Sequence, residues 1–302
     1  MVTGRRIVAA IGNFDGVHRG HQRLVAETAR FAGAIGAAPG AVVFDPHPRR
    51  YFHPDDPPFL LTTAKDRDAL LKEAGAVEVY ALAFGAPLAA LSPEAFVASV
   101  LKAKLGLAGV VTGTEFRFGK GRAGDAEGLK RLAEAAGLEA LLVAPAPEAE
   151  GDKISSSDIR EKIAAGQMRA AAARLGRLWA VKGRVEPGRR LGRALGFATA
   201  NMTLGELIEP CRGVYAVEAV FDGRLYKGVA NFGRRPTVNK QTVGAPAPLL
   251  ETHLFDFDGD LYGQTLAVRF VDFLREEVRF ESLDALRAQI AADCELARKI
   301  TG

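Results

Sequence analysis

The chain changes its hydrophobic rhythm once, and that change restricts the folds open to it. From Arg5 to about Ile163, short apolar or β-branched runs (RIVAAIG, GAVVFD, AVEVYALAF, AGVVTG, EALLVA) alternate with helix-length stretches (HQRLVAETARFAGAIG, AKDRDALLKEAG, SPEAFVASVLKAKLG, GDAEGLKRLAEAAG). Strands separated by helices of that length need crossover connections, which predicts an α/β domain, doubly wound on a parallel sheet. After Trp179 the runs LWAVKGRVEPG, GVYAVEAVFDG, RLYKGVANFG, LLETHLFDFDG and QTLAVRFVDFLR are β-rich and close on Asp-Gly or Gly turns. That texture predicts a small antiparallel β-barrel. Leu283, Leu286, Ile290, Cys294 and Ala297 then recur at helical spacing, so a terminal helix should pack on the barrel. The linking AAGQMRAAAARLGR reads as helix rather than tether, and the expected domains are residues 1–176 and 177–302.

Composition narrows the function. With 302 residues, 48% of them hydrophobic, the chain can fill two ordinary cores. Two cysteines, Cys211 and Cys294, are too few for a disulfide framework or a Cys-rich zinc site and read as small buried residues. The apolar run near the start is too short for a secretion signal, and no uninterrupted apolar stretch reaches the roughly 18 residues of a membrane span. A cytoplasmic protein without a membrane partner is expected. Net charge is +4, but 36 acidic residues are mixed among 40 basic ones without a long basic run. That argues against a nucleic-acid partner, and arginines beside glycines suit small phosphate ligands better.

Doubly wound sheets bind ligands beyond the carboxyl ends of their strands, which draws attention to AIGNFDGVHRGHQRLV at the first strand-to-helix junction. Gly12 ends the strand, Gly16 permits a tight turn, and the free N–H groups of the following helix would attract an anion. His18 and His21 stand three apart, so both rings can face that anion. An imidazole donating to a phosphate oxygen favours the charge that develops there during phosphoryl or nucleotidyl transfer. A glycine turn with two solvated histidines, or a metal pair, are the alternatives.

FRFGKGRAGD places Gly119, Gly121 and Gly124 at G-x-G-x-x-G spacing. Its late position and the neighbouring Arg117, Lys120 and Arg122 favour a flexible basic loop near nucleotide or substrate over a dinucleotide fingerprint. In KISSSDIREKI, Ser155 or Ser156 would cap a helix whose N-terminus, with Arg160, suits a triphosphate tail. GFATAN offers Thr199 and Asn201, hard oxygen donors suited to magnesium on nucleotide phosphates, though a basic loop on a barrel rim accounts for the segment equally well. Glu251 sits in an apolar run with Leu250 and Thr252 on the opposite face. If buried it would have a raised pKa and act as a base; the alternative is an edge-strand glutamate facing water. Asp256, Asp258 and Asp260 lack EF-hand spacing and read as a hairpin turn.

GNFDGVHRGHQ resembles the G-x-F-D-G-x-H-x-G-H motif of the nucleotidyltransferase module in bacterial bifunctional riboflavin kinase/FAD synthetases. FDPHPRRYF, LTTAKDRDALL, LSPEAFV, FRFGKGRAGD, ISSSDIR, LGFATAN, GVYAV, GVANFGRRPTV, LETHLFDFDGDLYG and DALRAQIAADCELAR follow in the order that family shows, over nearly the whole chain. The resemblance implies two magnesium- and ATP-dependent steps. The C-terminal half would phosphorylate riboflavin to FMN, with Glu251 as base on the ribityl 5′-hydroxyl, Thr199 and Asn201 near Mg-ATP, and Gly192 and Arg193 in a preceding flap. The N-terminal half would join FMN to AMP from ATP, the FMN phosphate attacking the α-phosphorus directly. His18, His21, Ser156 and Arg160 would position and neutralise phosphates. Gly12, Asn13, Phe14, Asp15, Gly16, Ser155 and Ser157, with the loop carrying Phe116, Arg117 and Asp125, would line the nucleotide and flavin sites. Two positions depart from the family pattern: Ala198 stands where proline is usual and Leu191 where arginine is usual. The narrower alternative is an FMN adenylyltransferase alone, its C-terminal domain a flavin-binding or regulatory module of impaired kinase activity.

Overall fold

The computed structural model describes residues 5–145, 154–187, 196–233 and 248–302, so Leu191, Gly192 and Arg193 lie outside the described residues. The chain divides into two compact units: Met1–Asp56 with Thr63–Ser155, and Pro57–Thr62 with Ser156–Gly302.

In the first unit, β1 (Ile7–Ile11), β2 (Ala38–Asp45), β3 (Glu78–Ala83) and β4 (Gly109–Gly113) precede the short pair β5 (Arg117–Phe118) and β6 (Gly124–Asp125), and β7 (Glu139–Val143) follows. Five of them form a sheet in the order β3-β2-β1-β4-β7, parallel throughout. All of β1 is buried, but alternate residues serve different cores: Ile7, Ala9 and Ile11 join one apolar cluster, Val8 and Ala10 another. Both faces are therefore covered, as a parallel sheet requires. The helices are α1 (Arg19–Ala34), α2 (Pro48–Phe52), α3 (Ala64–Glu73), α4 (Ala86–Ala89), α5 (Pro93–Ala95) and α6 (Ala126–Ala135); α1 and α3 bury side chains in one cluster, α6 and a π-helix at Phe96–Lys104 in the other. Strand order reverses at β1, flanked by β2 and β4, and such a reversal opens a crevice at the carboxyl ends.

In the second unit, α7 (Ser156–Ala164) is the helix expected in KISSSDIREKI, and α8 (Met168–Leu175) occupies the expected helical link. Gly176, at φ 74°, closes α8 in the left-handed conformation that glycine adopts freely. Six antiparallel strands follow: β8 (Trp179–Arg184), β9 (Ala200–Met202), β10 (Gly213–Phe221), β11 (Arg224–Gly233), β12 (Leu249–Leu254) and β13 (Thr265–Arg275). Their order is β8-β13-β10-β11-β12-β9. The sheet curls until its two edges meet: Glu186, just past β8, pairs with Asn201 of β9, its N–H donating to the Asn201 carbonyl at 2.8 Å.

The terminal helix, Leu283–Thr301, packs Ala297, Cys294 and Ile300 on Val214, Ala216 and Val229. Leu283, expected on its apolar face, is 60% exposed. The helix is held near its middle instead, where buried Asp293 accepts from Arg275 Nε at 2.9 Å and Nη2 at 2.7 Å.

Pro57–Thr62, although distant in sequence, belongs to this second unit. Leu60 bridges Leu207, its N–H donating to the Glu206 carbonyl at 3.0 Å and its carbonyl accepting from Ile208 at 2.8 Å. Trp179 Nε1 donates to the Leu61 carbonyl at 3.0 Å. Phe59 and Leu61 are buried.

Candidate active sites

The first site grows from the end of β1. A Cβ at Gly12 would lie 3.3 Å from the Phe14 ring, a tight approach that glycine avoids at the end of the strand. The turn then forces positive φ on Phe14 (53°), Gly16 (80°) and Val17 (39°). Left-handed backbone at a bulky and a β-branched residue is strained, and such strain persists only where its surroundings impose it. Asp15 is buried and Asn13 exposed.

His18 caps α1: its Nδ1 accepts the His21 N–H at 3.4 Å, which leaves the ring proton on Nε2. The His18 and His21 rings stack 3.7 Å apart at 17°, and a Cβ on Gly20 would come within 3.2 Å of the His18 ring. Burial, and then the neighbouring His18, hold the His21 pKa well below the ordinary imidazole value. His21 Nδ1 is buried without a hydrogen-bond partner. The solvated-turn alternative fails on this burial. The metal-pair alternative fails on geometry, because lone pairs in parallel ring planes do not converge on one ion. What remains is a neutral imidazole pair at a helix N-terminus, suited to donating toward an anion.

Beyond β4, the residues expected to form a flexible loop make an ordered hairpin instead. Arg117 pairs with Asp125 and Phe118 with Gly124. All three glycines have local reasons: a Cβ on Gly119 would lie 2.8 Å from Pro93, Gly121 has φ 63°, and a Cβ on Gly124 would lie 2.5 Å from Phe118. Asp125 caps α6, accepting from Gly128 N–H at 2.7 Å. Phe116 stacks on Phe118 with centroids 5.8 Å apart. Ser155 precedes α7, Ser156 opens it and Ser157 is exposed. Arg160 donates from Nε to the Phe59 carbonyl at 2.7 Å and stands over the Phe59 ring at 5.4 Å, so part of its guanidinium serves the fold.

Sequence reasoning missed one feature of the first unit. Tyr51, Phe52 and Phe84, past the carboxyl ends of β2 and β3, meet edge to face with centroids 5.1 to 5.8 Å apart. Phe52 is 58% exposed. Adjacent aromatics just past a strand end, in FDPHPRRYF, were the available signal.

The second site is a cavity of about 860 Å³ within the second unit, bordered by Thr199, Asn201, Asn231, Glu251, His253 and Glu277 among others. β12 lies between β11 and β9, so Glu251 is not on an edge strand. Strand register sets it between Asn201 and Asn231 in one cross-strand row. Leu250 and Thr252 are buried on the other face while Glu251 is only partly so, between the buried base and the water-facing edge residue that the sequence left open. Asn231 Nδ2 donates to Glu277 Oε1 at 3.1 Å. Thr199, Asn201 and Glu251 are thus brought together as the sequence suggested. Asn231 is the member it missed, visible only once the β11–β12 register is known.

Comparison with known proteins gives two family matches: FAD synthetase over residues 2–158 and riboflavin kinase over residues 175–301. A bifunctional riboflavin kinase/FMN adenylyltransferase of Pseudomonas fluorescens is 40% identical, covering 98% of this chain and 93% of its own. Its counterpart in Escherichia coli K12 is 37% identical with the same coverage. Among solved structures, one titled as a macrolide-efflux protein from Streptococcus pneumoniae matches with TM-score 0.87 and 31% identity, covering 98% of this chain and 95% of its own. Among the described residues here, no helix is long and apolar enough to cross a membrane.

Proposed function

The chain belongs to the family of bifunctional riboflavin kinase/FMN adenylyltransferases, and from that premise we infer which residues carry each step. The enzyme phosphorylates riboflavin to FMN with ATP, then adenylylates FMN to FAD and releases pyrophosphate. The riboflavin kinase match over residues 175–301 replaces the narrower reading of an adenylyltransferase with an impaired module.

In the kinase step, Glu251 accepts the proton of the ribityl 5′-hydroxyl as that oxygen bonds to the γ-phosphorus and ADP departs. Its place on an interior strand, in one cross-strand row with Asn201 and Asn231, supports this role, because placement supplies much of the rate in phosphoryl transfer. Thr199 and Asn201 offer hard oxygens on the same cavity wall as Glu251. This donor set fits magnesium brought in on ATP, which would neutralise phosphate charge there. No cluster of three or more His, Cys, Asp or Glu residues that would fix the ion without the nucleotide occurs among the described residues.

In the adenylylation step, the FMN phosphate attacks the α-phosphorus and pyrophosphate leaves, so no protein nucleophile is required. His18 Nε2–H donates to an α-phosphate oxygen, and His21 keeps that ring in place by stacking. Gly12, Asn13, Phe14, Asp15 and Gly16, in the strained turn after β1, line the nucleotide site on the strength of the motif resemblance, as do Phe116, Arg117 and Asp125. Ser155, Ser156, Ser157 and Arg160 take phosphate contacts on the strength of the motif resemblance, as do Gly192 and Arg193 for the kinase flap. Tyr51, Phe52 and Phe84 offer the isoalloxazine ring an aromatic surface.

The observation that best supports one chain performing both steps is that each unit carries its own constellation: the stacked histidines at the parallel sheet and the Asn201–Glu251–Asn231 row in the barrel. Purified protein given riboflavin, ATP and magnesium should yield FMN and then FAD on chromatography. Failure to convert supplied FMN would overturn the adenylylation assignment; failure on riboflavin would overturn the kinase assignment.

A further inference from the structure

The departure at Ala198 has a structural counterpart on the neighbouring strand. Backbone pairing between β9 and β12 runs Leu250 with Met202, Glu251 with Asn201 and Thr252 with Ala200, and there the ladder ends. The next residue of β12 is His253, whose Nδ1 lies 2.9 Å from the Ala198 carbonyl oxygen. A carbonyl only accepts, so this nitrogen carries the proton and donates. The ring is itself held by edge-to-face contacts with Phe197, centroids 5.5 Å apart at 86°, and with Phe255, 5.9 Å apart at 69°. A side chain thus continues the pairing where the backbone stops, and it grips the segment that leads into Thr199 and Asn201.

We propose that His253 is a positioning residue for nucleotide binding in the riboflavin kinase step: its Nδ1–H holds the Ala198 carbonyl and so sets the approach of Thr199 and Asn201. The proposal rests on the kinase reading of this cavity. Proline would stiffen the segment by fixing its own φ and limiting the residue before it; with alanine at 198, that restraint comes from the neighbouring strand instead. His253 lies two residues beyond Glu251 on the same strand, so both side chains leave the same face, and both border the cavity. One face of β12 thereby carries the proton acceptor and the clamp on the nucleotide side. The proposal separates the two substrates: riboflavin, deprotonated at Glu251, should feel the loss of His253 far less than ATP does.

The test uses the full chain. His253→Phe keeps a ring for Phe197 and Phe255 to meet but removes the donor, whereas His253→Asn places an amide N–H near the position of Nδ1. Riboflavin phosphorylation is measured against ATP and against riboflavin, and conversion of supplied FMN to FAD on the same preparation reports that the first unit is folded. His253→Phe should raise KM for ATP about tenfold, the scale of one lost hydrogen bond, and change KM for riboflavin less than about twofold. His253→Asn should recover most of that loss, and so should Ala198→Pro added to His253→Phe, because proline keeps the carbonyl while stiffening the chain. An unchanged KM for ATP in His253→Phe, an Asn variant as impaired as the Phe variant, or equal loss toward both substrates with a lowered Tm would each overturn the proposal. A wild-type protein that makes no FMN would overturn the kinase reading itself; a wild-type protein that makes FMN beside an unaltered His253→Phe would overturn only the role of His253.

Discussion

Two stacked imidazoles behave differently from two separate ones, because at 3.7 Å they cannot both be charged without strong repulsion. His21 has a folded-state pKa held below its unfolded value, first by burial and then by His18. The unfolded chain therefore binds more protons as pH falls through about 6.5, and the folded state loses stability in that window. Thermal unfolding at pH 7.5 and 5.5 should show a lower Tm at the acid end, and His21→Gln should shrink the difference. His18→Ala should slow FMN adenylylation about 10²- to 10³-fold, the usual effect of removing a donor to a developing charge, and leave riboflavin phosphorylation intact. Glu251→Gln should do the reverse, lowering FMN formation about 10²- to 10⁴-fold as expected for loss of a general base, while supplied FMN is still converted. The two histidines and Glu251 were legible in sequence because each stands out locally, beside glycines or inside an apolar run. Asn231 was not, since only strand register places it beside a residue twenty positions later in the chain.

At the level of elements, the alternation of strand and helix was enough to read the parallel sheet, since both faces of β1 must be covered. Strand order was not readable, and that order is what turns β12 from an edge into an interior strand. Nor was the winding of SPEAFVASVLKAKLG: the expected α-helix passes at Phe96–Lys104 into a π-helix, where Phe96, Val97, Val100 and Leu101 are buried. Pairs of apolar residues four apart satisfy either winding, so hydrophobic periodicity does not separate them. The hairpin of β5 and β6 shows how a motif spacing can mislead, its glycines being set by Pro93, a left-handed turn and Phe118 rather than by a phosphate. Gly124→Ala should destabilise the first unit by about 1–3 kcal/mol through overpacking against Phe118. Calorimetry would register the loss, and FMN adenylylation should decline with it while riboflavin phosphorylation persists.

Over the whole molecule, the single change of rhythm near Trp179 announced two halves, yet the compact units do not follow the sequence so simply. The second unit takes in Pro57–Thr62 together with α7 and α8. Phe59→Ala should destabilise that unit by about 3–5 kcal/mol. Emission from Trp179, the one tryptophan in the chain, should report it, because its indole N–H donates to the Leu61 carbonyl two residues away from Phe59. The same six residues bear on synthesis. They leave the ribosome early, while Trp179, Glu206, Leu207 and Ile208, which bind them, are made more than a hundred residues later. A nascent chain arrested near residue 155 already contains every strand of the parallel sheet but carries an apolar Phe-Leu-Leu segment awaiting its partners. Limited proteolysis of such arrested chains should cut at residues 57–62, and the released full-length protein should resist there.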